Sequence, residues 1–307
     1  MVYNTKVKIF LYYALICLIW GTTWLAIRSS LESLTPFLSA GLRFTSASIL
    51  LLVFLKIKKI HIQKDKRSIQ LYFVLILFWY FIPYGLVYWA EQFIPSGLAS
   101  VLFAIEPFFI VLFSYFYISS EKISLFNFSG IVLGFAGILV IYSDTLSLNY
   151  TSYTLGISAI VLSACLQAIN AVIIKKYGGH LDPLSMNFIP MLFAGIMLSI
   201  LGFFIEDMSK VKFDLSAVGS VLYLALFGSI IANTSFYWLL KRINVVILSL
   251  ISFITPIIAL YVGWVFYNEK LSSNELIGSL LVLAGLLWAN AENVIRSTIL
   301  KKKLNAG

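Results

Sequence analysis

Two ionisable residues, Arg43 and Glu106, lie inside long apolar runs, where a charge is costly and therefore indicates a functional role. Glu106 is ten residues beyond Ser96, the predicted start of a helix, which places it ~15 Å deep at ~1.5 Å per residue. Pro107 follows and frees a backbone carbonyl nearby. Three roles are open for Glu106: binding a cationic substrate group, taking up a proton, or staying neutral and hydrogen-bonded to a neighbouring helix. It is the one carboxylate that the sequence predicts to be well buried.

Arg43 lies about seven residues into another predicted helix, ~10 Å from the membrane face where that helix begins. Its guanidinium can bind a substrate carboxylate, pair with an acidic side chain or hold backbone carbonyls. Because arginine stays charged in proteins, a fixed positive charge often organises a helix bundle, and we favour this structural role.

Polar side chains also share helix faces at helical spacing. Such faces either line a wet site or form hydrogen bonds between helices, and for Asn170 we favour a lining role. Thr22 corresponds to Asn170 at an offset of 148 positions. The faces are Tyr80, Tyr84 and Tyr88; Gln167 and Asn170; and Asn233 and Tyr237.

Several classes of site are not predicted. The chain has two cysteines and two histidines, and none of them lies at metal-ligand spacing from another ligand residue. No phosphate-binding glycine loop is present. The net charge of +9 comes from basic residues scattered over short segments, which argues against nucleic-acid binding. We therefore predict no metal, no cofactor, no nucleic-acid partner and no enzymatic activity.

The elements that position these residues are membrane helices. Apolar residues make up 61% of the 307 residues and charged residues 11%, with a mean hydropathy of +0.96, so the lipid bilayer is the expected solvent. The N-terminal run is long for a signal peptide and is predicted to be retained. Ten spans are predicted, at 9–28, 36–55, 70–91, 96–118, 124–143, 154–174, 184–205, 216–239, 245–267 and 274–294.

The distribution of basic residues predicts the orientation. With a cytoplasmic N-terminus, 17 of the 22 Lys and Arg residues lie on the inside and four lie on the outside, while Arg43 lies within a span. We predict a multi-pass protein of the inner (plasma) membrane with both termini in the cytoplasm and a basic cytoplasmic tail at 295–307.

The sequence repeats itself at an offset near 148. Glu121-Lys122-Ile123-Ser124 corresponds to Glu269-Lys270-Leu271-Ser272, and Gly130 and Gly137 correspond to Gly278 and Gly285. Helix-breaking prolines, Pro107 and Pro256, lie mid-span in each half. The fold class is thus all-α integral membrane, with two five-helix repeats at 9–143 and 154–294. Because five is odd, the repeats must enter the membrane in opposite senses, an arrangement typical of secondary transporters.

Motifs in both halves resemble the EamA-type family of the drug/metabolite transporter superfamily over about residues 10–290. In the first half these are Trp20-Gly21-Thr22-Thr23-Trp24, Arg43, the stretch 88–100 and Pro107 followed by Glu121-Lys122. In the second half they are Gly228, the stretch 237–242, Pro256, Gly263, Glu269 and Gly285. The resemblance implies a central cavity, to which Trp20 and Thr22 belong as candidates, and export or exchange of small metabolites such as amino acids.

The predicted function is therefore secondary transport of a small metabolite, an amino acid or related amphiphile, by alternating access and in the export direction. The partners are a small-molecule substrate, the bilayer and a proton as candidate coupling ion. The alternatives are an intramembrane enzyme, a lipid-handling protein or, among transporters, a proton-coupled multidrug exporter.

Overall fold

The computed structural model describes residues 2–59, 62–118, 123–148, 151–240, 242–243, 248 and 251–304. In that part of the chain, nine helices are long and apolar enough to cross a bilayer, and a tenth apolar helix is shorter. The predicted all-α fold of ten helices is confirmed. The helices are α1 Val2–Ser30, α2 Pro36–Ile57, α3 Lys66–Ala90, α4 Ser96–Tyr117, α5 Leu125–Leu148, α6 Thr151–Tyr177, α7 Pro183–Ile205, α8 Leu215–Phe236, α9 Ile251–Tyr267 and α10 Ser273–Leu304.

The helix starts follow from local sequence. Pro36 and Pro183 occupy the first turns of α2 and α7, where a missing N–H costs nothing. Asp65, Asp182 and Asp214 cap α3, α7 and α8 by accepting hydrogen bonds from backbone N–H groups of the first turn. Ten crossings bring the start of α1 and the end of α10 to one membrane face, which we call the terminal face. The α1–α2, α3–α4, α7–α8 and α9–α10 linkers lie at the opposite face.

The helices pack as two related sets. Helix α2 packs against α7 and α5 against α10, while α1 contacts α9 and α4 contacts α6. A Cβ on Gly130 would lie 2.6 Å from the Gly285 carbonyl oxygen, and one on Gly137 would lie 2.5 Å from that of Gly278. The offset of 148 converts the first contact into the second, with the order along the chain reversed. The α5–α10 pair thus has the two-fold symmetry that inverted repeats require.

Two π-helical segments interrupt the middle of α3 and α8. They span Ile76–Phe81 and Leu224–Ile231, and their starts are 148 positions apart. Neither was predicted from the sequence, because the hydrophobicity of an apolar run does not reveal where a helix takes a wide turn. Such turns are frequent at functional sites, and both lie beside the central cavity.

Candidate functional site

A cavity of about 170 Å³ lies where seven helices meet, with room for roughly ten water molecules. Charged, amide, hydroxyl and aromatic side chains share its wall. The charged, polar and aromatic residues of the wall are Trp20, Thr23, Trp24, Arg43, Trp79, Tyr84, Ser100, Phe103, Glu106, Gln167, Asn233, Ser252 and Thr255. This mixture of a few polar groups on an apolar wall is typical of small-molecule sites.

Arg43 supplies a fixed positive charge to the cavity wall. Its side chain is buried, and its Nε donates a hydrogen bond to the Ser229 hydroxyl at 3.1 Å. A second nitrogen lies 3.5 Å from the Tyr88 hydroxyl, and the guanidinium carbon lies 4.9 Å from the Tyr84 ring centre. Among the described residues Arg43 forms no salt bridge with a carboxylate. The protein therefore orients this cation without neutralising it through a contact ion pair.

Glu106 lies on the same cavity at a break in α4. The helix runs Ser96–Phe103, turns at 104–105 and resumes as Glu106–Tyr117. Pro107 has no N–H to donate to the Phe103 carbonyl, which makes a break possible at this point. Glu106 is half-buried, and no hydrogen bond to another described side chain holds its carboxylate. Its charge therefore depends on what occupies the cavity.

The three tyrosines of the predicted face on α3 lie in different surroundings. Tyr84 lines the cavity. Tyr80 is buried behind it and donates a hydrogen bond to the Asn187 amide oxygen at 2.7 Å. Tyr88 is fully buried beside Arg43. Only the middle hydroxyl is therefore available to a ligand, while the other two hold the wall in place.

Of the remaining candidate residues, some line the cavity and others lie outside it. Trp20, Gln167 and Asn233 line the cavity, whereas Asn170 is buried outside its lining. Thr22 faces another groove, where its hydroxyl lies 2.6 Å from that of Tyr223.

Two further candidates belong to the second repeat. The side chain of Tyr237 lies outside the described residues. Pro256 is buried within a continuous α9, and its neighbour Thr255 lines the cavity instead.

Sequence reasoning missed the aromatic wall and one acid. Trp24, Trp79 and Phe103 line the cavity, and the rings of Trp24 and Phe103 lie 5.5 Å apart. The prediction that Glu106 is the one well-buried carboxylate is wrong, because Glu91 is 0% exposed. Glu91 is the last residue of the predicted span 70–91, a position where a charged side chain ordinarily meets water. Its burial follows from packing against other helices, which composition does not report.

Comparison with known proteins agrees with this architecture. The chain is 28% identical to Protein PagO of Salmonella typhimurium over 274 residues, covering 89% of each protein. It is 32% identical over 265 residues to the uncharacterized inner membrane transporter YedA of Escherichia coli strain K12, covering 84% of this chain and 82% of YedA. A solved crystal structure with 20% identity matches with a TM-score of 0.66 over 91% of this chain and 95% of its own, which shows a common fold.

The sequence also matches the EamA-like transporter family over residues 7–143 and 154–291, which together cover most of the chain. The family predicted from the motifs is confirmed. Together with the ten apolar helices, these similarities establish that the chain is a multi-pass membrane transporter and belongs to the EamA-like transporter family.

Proposed function

We propose that this transporter exports small zwitterionic metabolites, amino acids or their close relatives, across the inner membrane. The observation that carries the proposal is the pairing of Arg43 and Glu106 on one cavity wall, each without a charged partner among the described residues. A substrate with a carboxylate and an ammonium group would satisfy both. A simple hydrocarbon or a lipid tail would satisfy neither.

The binding mode follows from these side chains. Arg43 accommodates the substrate carboxylate, since Ser229 and Tyr88 engage only part of its donor set. Glu106 binds the ammonium group when the substrate is present and takes up a proton when it is absent. Trp20, Trp24 and Trp79 provide an apolar wall for the substrate side chain.

Alternating access would come from the two repeats, proposed at 9–143 and 154–294. One repeat rocks against the other around the cavity, whose wall draws on both. The basic residues favour a cytoplasmic terminal face and a periplasmic opposite face. Export then means loading from the terminal face.

The experiment is a substrate panel in proteoliposomes. Purified protein is reconstituted, loaded with radiolabelled amino acids and related amines or acids, and tested for exchange with and without an imposed pH gradient. Faster exchange of zwitterions than of the matched amine or acid is expected. Equal rates for all three, or conversion of the compound without movement, would contradict the proposal.

Matched variants identify the site. Glu32→Gln removes an exposed carboxylate at the opposite face and Lys212→Gln removes an exposed cation there, and both are expected to retain exchange. Arg43→Gln should remove the preference for compounds that carry a carboxylate. If it removes the preference for amines instead, the assigned binding mode is wrong.

A further inference from the structure

Helices α4 and α9 are joined at the opposite face by the carboxylate of Glu269. It accepts hydrogen bonds from the backbone N–H groups of Ser96 at 2.9 Å and Gly97 at 3.1 Å, and from the Ser96 hydroxyl at 3.1 Å. A negative charge at a helix start is stabilising. The backbones also touch, because a Cβ on Gly97 would lie 2.9 Å from the Leu260 Cα. We call this contact the α4–α9 clasp.

Glu91 lies behind the clasp, in the linker between α3 and α4. It is 0% exposed, and neither of its carboxylate oxygens has a hydrogen-bond partner in the part of the chain that the structure describes. An ionised carboxylate in such a place is strongly destabilising, whereas a neutral acid is tolerated. This conformation therefore holds Glu91 in its protonated form.

The charged groups around Glu91 do not neutralise it. Arg28 on α1 donates a hydrogen bond to the backbone carbonyl of Glu91 rather than to its carboxylate. Arg43 on α2 is directed at Ser229 and Tyr88. Glu269, in the α9–α10 linker, adds a second negative charge.

The other neighbouring elements add little. Helix α6 presents Gly156, which has no side chain, to the end of α3. Tyr88 on α3 itself is neutral at ordinary pH. Burial and, next, Glu269 raise the pKa of Glu91 well above its usual value, while Arg28 and Arg43 oppose the rise.

We propose that Glu91 is a proton-binding site separate from the substrate cavity, and that it releases its proton when the α4–α9 clasp opens. Opening admits water and frees Arg28 to pair with the carboxylate, so the open form binds the proton less tightly. By linkage, acid favours the closed clasp, and opening increases as the pH rises from the open-form pKa towards the closed-form pKa. The inference relies on the proposed function only for the idea that this face opens.

Thiol labelling tests the inference without any substrate. Cys17 and Cys165 are replaced by alanine, and Ser100→Cys places a reporter on the cavity wall one turn beyond the clasp. A membrane-impermeant maleimide is added at the opposite face of right-side-out vesicles between pH 5.5 and 8. Rates are divided by those of Lys212→Cys, an exposed position at the same face, which removes the intrinsic pH dependence of the thiol.

With Glu91 intact, normalised labelling should rise with pH by up to about tenfold per unit. Glu91→Gln, and Glu91→Met if the first variant does not fold, should label slowly at every pH. Glu269→Gln should label fast at every pH, and Glu106→Gln should keep the rise.

Flat labelling with Glu91 intact, or an unchanged rise in both Glu91 variants, would overturn the proposal. Failure of the transport proposal would leave these rates unaffected, so the two outcomes are distinguishable.

Discussion

Helices α4 and α9 occupy corresponding places in the two repeats, and both carry a mid-span proline, but they differ at the cavity. Helix α4 breaks at 104–105 and presents Glu106, whereas α9 is continuous from Ile251 to Tyr267 and presents Thr255. A proline alone therefore does not decide whether a helix breaks. The difference teaches that the two repeats share a helix arrangement, whereas the charged residues of the cavity wall, Arg43 and Glu106, both belong to the first repeat.

The largest expected effect is on the exchange rate, which should fall far more when Glu106 is substituted than when Thr255 is. Glu106→Gln should lower exchange by roughly 30- to 5,000-fold, since removing one member of a buried charge pair, here the pair with the substrate ammonium group, costs about 2–5 kcal/mol. Thr255→Val should lower it less than about threefold, because it removes only a neutral hydroxyl. Initial exchange rates in proteoliposomes measure both. An equal loss in the two variants would make the cavity functionally symmetric.

Unlike the charged residues of the cavity, the helix packing should respond equally to matched substitutions in the two repeats. Gly130→Ala and Gly278→Ala each place a Cβ against the backbone of the partner helix and should destabilise the protein by about 1–3 kcal/mol. Gly219→Ala, whose Cβ would meet no atom within 4 Å, is the matched control and should not destabilise it. Thermal unfolding in detergent compares them, and a clear difference between the first two would argue against two-fold packing of α5 and α10.

A substitution at Arg43 tests whether the other charged residue of the cavity binds the substrate carboxylate. Arg43→Lys keeps the charge but loses the planar fork, so we expect about a tenfold higher KM, or ~1.4 kcal/mol, with little change in the maximal rate. Substrate-dependent exchange measures both parameters. An unchanged KM would assign Arg43 the purely structural role that the sequence favoured.

The smallest effect concerns the two prolines. Pro107→Ala lets α4 close its backbone and should lower exchange roughly fivefold, or ~1 kcal/mol, by turning Glu106 away from the cavity. Pro256→Ala should change it less than twofold, since α9 is already continuous. Initial exchange rates in proteoliposomes compare the two variants. A larger loss for Pro256→Ala would mean that α9, not α4, is the helix that must bend.

The sequence predicts the ten helices well because each is a long apolar run, and lipid requires such runs to be helical. It also predicts Glu106, Arg43, Trp20, Gln167 and Asn233 as candidates, all of which reach the cavity. Periodicity alone could not decide which tyrosine of the face at Tyr80, Tyr84 and Tyr88 reaches the cavity, since a helix face can meet either a cavity or another helix.

What the sequence could not predict depends on packing between distant helices. Glu91 lies at the end of an apolar run, yet it is buried and Arg28 of α1 contacts its backbone. The break in α4 has no counterpart at the matching proline. The grouping of Trp24, Trp79 and Phe103 likewise combines three helices. Apolar residues give no sign, in sequence, of which ones face a wet space.

The π-helical segments of α3 and α8 have one consequence for protein engineering. A wide turn accommodates one residue more than an α-helical turn, so deleting a single residue within 76–81 should restore regular α-helix. The helix beyond the deletion would keep its facing relative to the start of α3, because the wide turn already absorbs the extra residue. Conversion of the segment to regular α-helix without a deletion would instead rotate everything beyond it by about 100°. Tyr84 would leave its place against Arg43 although no contacting side chain had been altered. The register of the cavity wall thus depends on both wide turns being kept, or on both extra residues being lost with them.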